Sequence, residues 1–295
     1  MNYPDRVLIK ARAKERVLDR SFGVLMVSIA YLLLTEWIST VVNLIWTNPL
    51  TAISDRFSES MDTLLEPVAA QGSLAEASVD ASVNMALSSA VTYARQLLSQ
   101  PSQEVLLFLF LLLYLYTVVM GYGFSFYAMR TARGERLGAG SLFDPLTMAG
   151  KVILLSLLLT LLVGVGIGLF IVPGVLFYYS TLLVPYVLLD HPEMSIFKAI
   201  SAGWRMSKGH RVRLFTLEFS FIGWDLLGLL VSNLGYNLGR IFTSGEALGT
   251  ILSLVCYTVV YAFVLPYREL SLVQFYDTIR PQDLRVEETP VKADN

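Results

Sequence analysis

Residues 152–189 decide the fold, because they read VILLSLLLTLLVGVGIGLFIVPGVLFYYSTLLVPYVLL and contain no charged side chain. A helix needs roughly 20 apolar residues to cross a bilayer core about 30 Å thick, so the stretch is long enough for two crossings. Pro173 and Gly174 lie near its middle, and this pair is typical of turns. We predict a tight Pro-Gly hairpin between two spanning helices. A re-entrant hairpin is the alternative, because it also leaves Lys151 and Asp190 on one side.

The rest of the chain is also rich in apolar residues and poor in charged ones. Of its 295 residues, 55% are hydrophobic and 16% are charged, with a mean hydropathy of +0.59, whereas soluble domains carry about 25% charged residues. We therefore predict an all-α, polytopic membrane helix bundle with about six transmembrane helices. The predicted spans are 22–46, 105–129, 152–171, 172–189, 214–231 and 248–266.

Lysine and arginine are distributed unevenly between the two sides of such a bundle. Of the 22 basic residues, only Arg56, Arg95 and Arg240 fall in the segments after the first and fifth spans. The other nineteen lie in the N-terminal head, the C-terminal tail and the segments that share their side. Basic residues are enriched in cytoplasmic segments. We therefore predict a multi-pass membrane protein with both termini in the cytoplasm.

The same pattern predicts the domain organisation. Residues 1–21 form a basic amphipathic cytoplasmic head, 22–270 a single membrane domain, and 271–295 a cytoplasmic tail that is partly disordered. Within the membrane domain, 47–103 is acidic and rich in Ala and Ser, and its apolar residues recur at helical spacing. We predict an extracytoplasmic helical insertion there, with a flexible loop as the alternative. The segment 190–213 is predicted to form a cytoplasmic amphipathic helix.

The head and the segment 190–213 both place apolar side chains on one helical face among basic residues. Helices of this kind lie along lipid headgroups, and anionic lipids attract nearby basic side chains. The candidate headgroup contacts are Lys10, Lys14, Lys198, Arg205 and Lys208. Membrane lipids are therefore the predicted partners, and a membrane-protein partner stays open. Alternatively, these charges only set the topology while the helices pack beneath the bundle. A net charge of −2 gives no reason to expect nucleic acid.

Ionisable residues inside the predicted spans are the other candidates for function, because each costs about 2.5–3.5 kcal/mol on insertion scales. The candidate intramembrane polar site comprises Glu36, Asn43, Glu218 and Asp225. Glu218 and Asp225 are seven residues apart, so they lie on one helical face, and Ser232 extends the row. No Lys or Arg lies within the predicted spans to pair with these acids. The row predicts either hydrogen bonding inside the bundle or a water-accessible transport path.

Other motifs give no sign of chemistry. Cys256 is the single cysteine, and His191 and His210 are too far apart in sequence for a zinc-binding HExxH pair. The chain has no GxSxG or GxxxxGK[ST] motif. We therefore predict no metal, no cofactor and no enzymatic activity. Gly164 and Gly168 form a GxxxG pair, which favours close helix packing.

Several segments together resemble a known family. Residues 179–224 read YSTLLVPYVLLDHPEMSIFKAISAGWRMSKGHRVRLFTLEFSFIGW. Short motifs lie within and around this stretch: Pro185-Tyr186, Asp190, the turn Met206 to His210, the block Ser220 to Trp224, Ala132-Arg133-Gly134-Glu135, Pro266-Tyr267 and Phe275-Tyr276. These motifs resemble those of a bacterial integral membrane family known as domain of unknown function 975.

The resemblance implies a membrane bundle with no family catalytic residues to carry over. The family is also similar to the membrane domain fused to some glycerophosphodiester phosphodiesterases, which points to lipid or envelope metabolism. In the block Ser220 to Trp224, we interpret Phe221, Gly223 and Trp224 as a packing node. The resemblance implies a bacterial cytoplasmic membrane as the location, and we expect a non-enzymatic accessory or lipid- and envelope-associated component. The alternative is a small-solute or ion transporter that uses the intramembrane acids, and a lipid-modifying membrane enzyme is the third possibility.

Overall fold

The computed structural model describes residues 5–19, 21–42, 103–242 and 246–281. Within these ranges the regular secondary structure is entirely helical. Asn43, nearly all of the predicted insertion 47–103 and the tail beyond 281 lie outside the described residues. The chain divides into two compact units, one of residues 1–36 and 115–295 and one of residues 37–114. The packing described below belongs to the first unit.

The helices are α1 (Arg6–Asp19), α2 (Ser21–Leu32), α3 (Gln103–Ala132), α4 (Ala149–Leu169), α5 (Ile171–Thr181), α6 (Val184–Asp190), α7 (Ile196–Ser207), α8 (Arg211–Phe219), α9 (Ile222–Phe242) and α10 (Glu246–Ile279). A π-helical turn, Leu33–Trp37, continues α2, and a 3-10 helix, Ala139–Met148, precedes α4.

Six helical segments in the described ranges are long and apolar enough to cross a membrane: Phe22–Val42, Phe108–Ala132, Ala139–Leu169, Ile171–Asp190, Arg211–Phe242 and Ala247–Ile279. Large apolar side chains such as Leu157, Leu161, Leu229 and Leu230 are exposed on their surfaces. Such surfaces suit a lipid solvent and not water. The all-helical fold and the six spans are confirmed, and the chain is a multi-pass integral membrane protein.

The chain reverses between α4 and α5 at Phe170, which has extended backbone angles of φ −159° and ψ 147°. Pro173 and Gly174, where we expected the turn, lie instead in the first turn of α5. Proline is tolerated there because the first helical N–H groups have no intrahelical acceptor. The hairpin therefore turns three residues before the Pro-Gly pair.

Gly166 and Gly174 bring the two helices of this hairpin into contact. A Cβ atom on Gly166 would lie 2.8 Å from the Cα atom of Gly174, and one on Gly174 would lie 2.6 Å from the backbone nitrogen of Ile167. Gly164 and Gly168, the expected packing pair, have open space where a Cβ would stand. The close approach thus joins Gly174 of α5 to Gly166, which lies on the other face of α4 from Gly164 and Gly168.

Helix α10 continues through Pro266, where we expected the last span to end, and past residue 270, where we expected the membrane domain to end. Proline inside a helix costs about 3 kcal/mol. Beyond it, however, Leu270, Val273 and Tyr276 are fully buried. Burying each large apolar side chain contributes roughly 1.5–3 kcal/mol, which outweighs the cost of the proline.

The main core surrounds α6, whose residues from Val184 to Leu189 are largely buried. Helix α1 contributes Ile9, Ala13 and Val17 to this core and packs against α10. The predicted head is therefore folded onto the bundle by one face, while its other face stays exposed.

Candidate functional site

The ends of three helices meet at a buried carboxylate. Asp190, the last residue of α6, has a side chain that is only 3% exposed. Arg133, just beyond α3, donates from Nη1 to Oδ1 at 2.6 Å and from Nη2 to Oδ2 at 3.0 Å. From the end of α10, Arg280 Nη1 and the Tyr276 hydroxyl donate to Oδ2 at 2.7 and 2.9 Å. Asp190 thus joins α3, α6 and α10.

Asp277 provides the second negative charge of this group. Its Oδ1 accepts a hydrogen bond from Arg133 Nη2 at 3.1 Å and lies 4.0 Å from Arg280 Nε. We call Arg133, Asp190, Tyr276, Asp277 and Arg280 the Asp190 cluster. Its two cations balance its two anions, as buried charges require. Burial opposes the charged form of Arg133, but Asp190 and Asp277 raise its pKa above the ordinary value.

A second polar contact lies one helical turn away from Asp190. The hydroxyl of Tyr186, which is buried in α6, donates to Glu269 Oε1 at 2.8 Å. The hydroxyl of Ser125 from α3 donates to the same oxygen. Helices α3, α6 and α10 are therefore joined twice by polar side chains.

Glu218 and Asp225 from the predicted polar row have separate partners on α10. Buried Glu218 forms a two-point ion pair with Arg268, in which Arg268 Nε lies 3.1 Å from Glu218 Oε1. Asp225, which is half-buried, accepts a hydrogen bond from the Tyr261 hydroxyl at 3.1 Å. The expectation that no basic residue could pair with these acids was wrong for Glu218, because α10 continues past Pro266 and carries Arg268.

The row continues along the same seam. Ser232 Oγ lies 2.7 Å from Ser253 Oγ, and Gly239 approaches the backbone of Gly249. Two acids and one serine, spaced seven residues apart on α8 and α9, thus face polar residues that are seven or eight residues apart on α10. Glu36 is half-buried in the π-helical turn, and Asn43 lies outside the described residues.

Lys10 contacts the protein instead of projecting freely. Its Nζ donates to Ser220 Oγ at 3.0 Å and lies 4.4 Å from the ring centroid of Phe221. Burial and the neighbouring Arg6 lower the pKa of Lys10. This contact ties α1 to the link between α8 and α9.

The three residues interpreted as a packing node differ in their surroundings. Phe221 is fully buried, and its ring packs edge-on against Tyr267 at 5.2 Å between centroids. Trp224 is 46% exposed, and a Cβ on Gly223 would meet open space. Only Phe221 lies in the core, while Trp224 belongs to the outer surface of the bundle.

The other four candidate headgroup contacts, Lys14, Lys198, Arg205 and Lys208, are exposed. On α7 the buried side chains occupy one face, and Phe197, 74% exposed, lies on the other side with the basic residues. On α1, exposed Val7 and Leu18 lie near Lys14 on the face turned away from the core. Both helices thus present apolar and basic side chains outward.

A family model described as "Protein of unknown function (DUF975)" matches residues 5–283 of this chain. The chain belongs to this family. No curated protein and no solved structure matches it.

The segments that carry the likeness to the DUF975 family meet in the structure. Arg133, Asp190 and Tyr276 come from three separate motifs and form the Asp190 cluster. Ser220 and Phe221, which belong to a further motif, contact the side chain of Lys10. From the sequence, these residues were expected only to belong to family motifs or to set the topology, and their pairing was not predicted. The one feature that pointed to the pairing is that they lie in short motifs at the ends of helices.

Proposed function

We propose that the protein is a non-enzymatic, lipid-associated component of a bacterial cytoplasmic membrane, with both termini in the cytoplasm. The orientation rests on the nineteen basic residues that share one side of the predicted topology. The likeness of the DUF975 family to the membrane domain fused to some glycerophosphodiester phosphodiesterases adds support for a role in lipid or envelope metabolism.

The pairing of the intramembrane acids carries this proposal. A transport path requires ionisable groups that share one hydrated cavity, whereas Glu218 and Asp225 each bind their own partner on α10. The polar row therefore joins helices α8, α9 and α10. A row that serves to pack helices favours a structural or accessory role over transport.

The outward face of α7 is the surface that we assign to lipid binding. Lys198, Arg205 and Lys208 lie there with the exposed ring of Phe197. A face of this kind places its aromatic ring among the acyl chains and its cations among the headgroups. Each basic residue near an anionic surface contributes about 1 kcal/mol.

Spin-labelled lipids test the association directly. We expect the protein reconstituted in mixed bilayers to immobilise more spin-labelled phosphatidylglycerol than spin-labelled phosphatidylcholine. The triple variant Lys198→Gln, Arg205→Gln, Lys208→Gln should lose most of this preference. Arg240→Gln removes a cation from the opposite end of its span and serves as the control. An unchanged preference in the triple variant would refute the assignment of these residues.

A further inference from the structure

A cavity of about 470 Å³ lies where α1 passes into α2 beside the end of α3. Its volume falls within the roughly 300–1,000 Å³ of small-molecule sites. Phe22 is the first residue of one candidate span, and Ala132, next to the lining residue Thr131, is the last residue of the following one. The cavity therefore lies at the boundary between the apolar spans and the polar end of the bundle.

The lining combines apolar and polar side chains. Phe22, which is 78% exposed, and Leu137 are apolar. Asp19, Thr131 and Arg136 supply polar groups. A cavity lined by both apolar and polar side chains at this boundary suits an amphiphile.

Thr131 has a buried hydroxyl group that points to a ligand in this cavity. The residue is 2% exposed, and its Oγ1 atom has no hydrogen-bond partner among the described residues. Buried hydroxyl groups are normally hydrogen-bonded, because an unsatisfied one loses its interaction with water without replacement. A ligand oxygen in the cavity would accept this hydrogen bond.

The charges of the lining indicate what kind of headgroup fits. Glu135 is already paired with Arg130 at 2.5 Å. Within the described part of the chain, neither Asp19 nor Arg136 forms an ion pair. The described residues of the lining thus offer one cation and one anion without an ion-pair partner to a ligand, which matches a zwitterion better than an anion.

We propose that this cavity binds the headgroup of a phosphoethanolamine lipid. Arg136 and the Thr131 hydroxyl contact the phosphate, and Asp19 accepts hydrogen bonds from the primary ammonium. A quaternary ammonium has no N–H to donate, so Asp19 favours ethanolamine over choline. The acyl chains extend from the cavity into the membrane past Phe22. This site is separate from the anionic lipid contacts of α7, and either proposal can fail without the other.

Gly23 offers a way to block the cavity without disturbing its polar groups. It lines the cavity, and a Cβ placed on it would meet nothing within 4 Å. A leucine there should therefore occupy the space intended for the lipid. Gly164 on α4 has equally open space away from the cavity, so Gly164→Leu is the matched control.

Native mass spectrometry of the full-length protein in detergent tests the proposal, with phosphatidylethanolamine, phosphatidylcholine and phosphatidylglycerol as separate probes. We expect one phosphatidylethanolamine per chain, bound roughly tenfold more tightly than phosphatidylcholine. Arg136→Gln and Gly23→Leu should weaken this binding by about tenfold and Thr131→Val by about threefold. Asp19→Asn should remove the preference for ethanolamine over choline.

Gly164→Leu and the triple variant of α7 should bind phosphatidylethanolamine as the wild type does, and an unchanged melting temperature without lipid shows that each variant is folded. Equal binding of the three lipids, or wild-type binding by Gly23→Leu, would overturn the proposal. Soluble glycerophosphoethanolamine should bind far more weakly than the lipid. Equal affinity for the two would overturn the assignment to a lipid.

Discussion

Arg133 and Asp190 are 57 positions apart in the chain, yet both terminal guanidinium nitrogens of Arg133 donate to the Asp190 carboxylate, at 2.6 and 3.0 Å. Such a two-point pair fixes orientation as well as distance. Since Arg280 and Tyr276 bind the same carboxylate, Asp190 sets how the ends of α3, α6 and α10 are arranged.

Neutralising Asp190 should destabilise the fold strongly. Asp190→Asn leaves Arg133 and Arg280 without their main counter-charge, and removing one partner of a buried pair costs roughly 3–5 kcal/mol. The free energy of unfolding in detergent, followed by tryptophan fluorescence, measures the loss. Asp144→Asn is the control, because its carboxylate is exposed and lies 3.8 Å from Arg130. Equal effects of the two substitutions would contradict the importance of the Asp190 cluster.

The Glu218–Arg268 pair should show strong coupling in a double-mutant cycle. Glu218→Gln or Arg268→Gln alone leaves one partly buried charge unpaired, so each single change should cost about 1–3 kcal/mol. The double variant should cost less than the sum of the two by about 1 kcal/mol or more. The exposed pair Arg130–Glu135 is the reference, with an expected coupling of about 0.2–1 kcal/mol. Additive effects at Glu218 and Arg268 would show that the pair contributes nothing.

Asp225 should contribute little to the stability of the protein. Asp225→Asn keeps an acceptor for the Tyr261 hydroxyl, so we expect it to be nearly silent. Asp225→Leu should lower stability by about 0.6 kcal/mol, the average for interhelical hydrogen bonds in a membrane protein. Tyr261→Phe should have a similar effect. If a reconstituted wild-type protein conducts protons or cations and Asp225→Asn abolishes this flux, transport becomes the better function.

The α4–α5 hairpin should depend on Gly166 and not on Gly164. A Cβ at Gly166 meets the backbone of Gly174, so Gly166→Ala should push the helices apart and cost about 1–3 kcal/mol. Gly164→Ala adds a Cβ in open space and should be neutral or stabilise by up to about 1 kcal/mol through helix propensity. Melting temperatures of the two variants give the comparison. The reverse order would place the helix contact on the other face of α4.

Thiol labelling tests the proposed orientation. In a chain with Cys256→Ser, Lys208→Cys places a cysteine at an exposed position next to α7. Ser78→Cys places one in the acidic segment predicted to lie outside. An impermeant reagent applied to cells with a permeabilised outer wall should label Ser78→Cys and not Lys208→Cys. Labelling in the opposite pattern would reverse the topology. Ser207 is buried and would report burial instead of sidedness.

The local sequence pattern predicted the membrane spans well but predicted their ends poorly. Hydropathy located all six spans, because the free energy of placing a segment in lipid depends on the residues of that segment alone. The same pattern placed the end of the last span at Pro266, because proline usually breaks a helix. Burial of Val273 and Tyr276 against distant helices reversed that outcome. The turn at Phe170 was missed for a related reason, because proline is also acceptable in the first turn of a helix.

The sequence by itself determined the solvent, the number of spans and the row containing Glu218 and Asp225, because composition and helical periodicity are local properties of the chain. Only the tertiary structure decided which partner each charge has. Lys10, expected at the lipid headgroups, binds Ser220, and Arg133, expected only to set topology, binds Asp190. These pairings depend on which helix ends come together, since a buried charge is stable only beside a partner that a distant segment supplies.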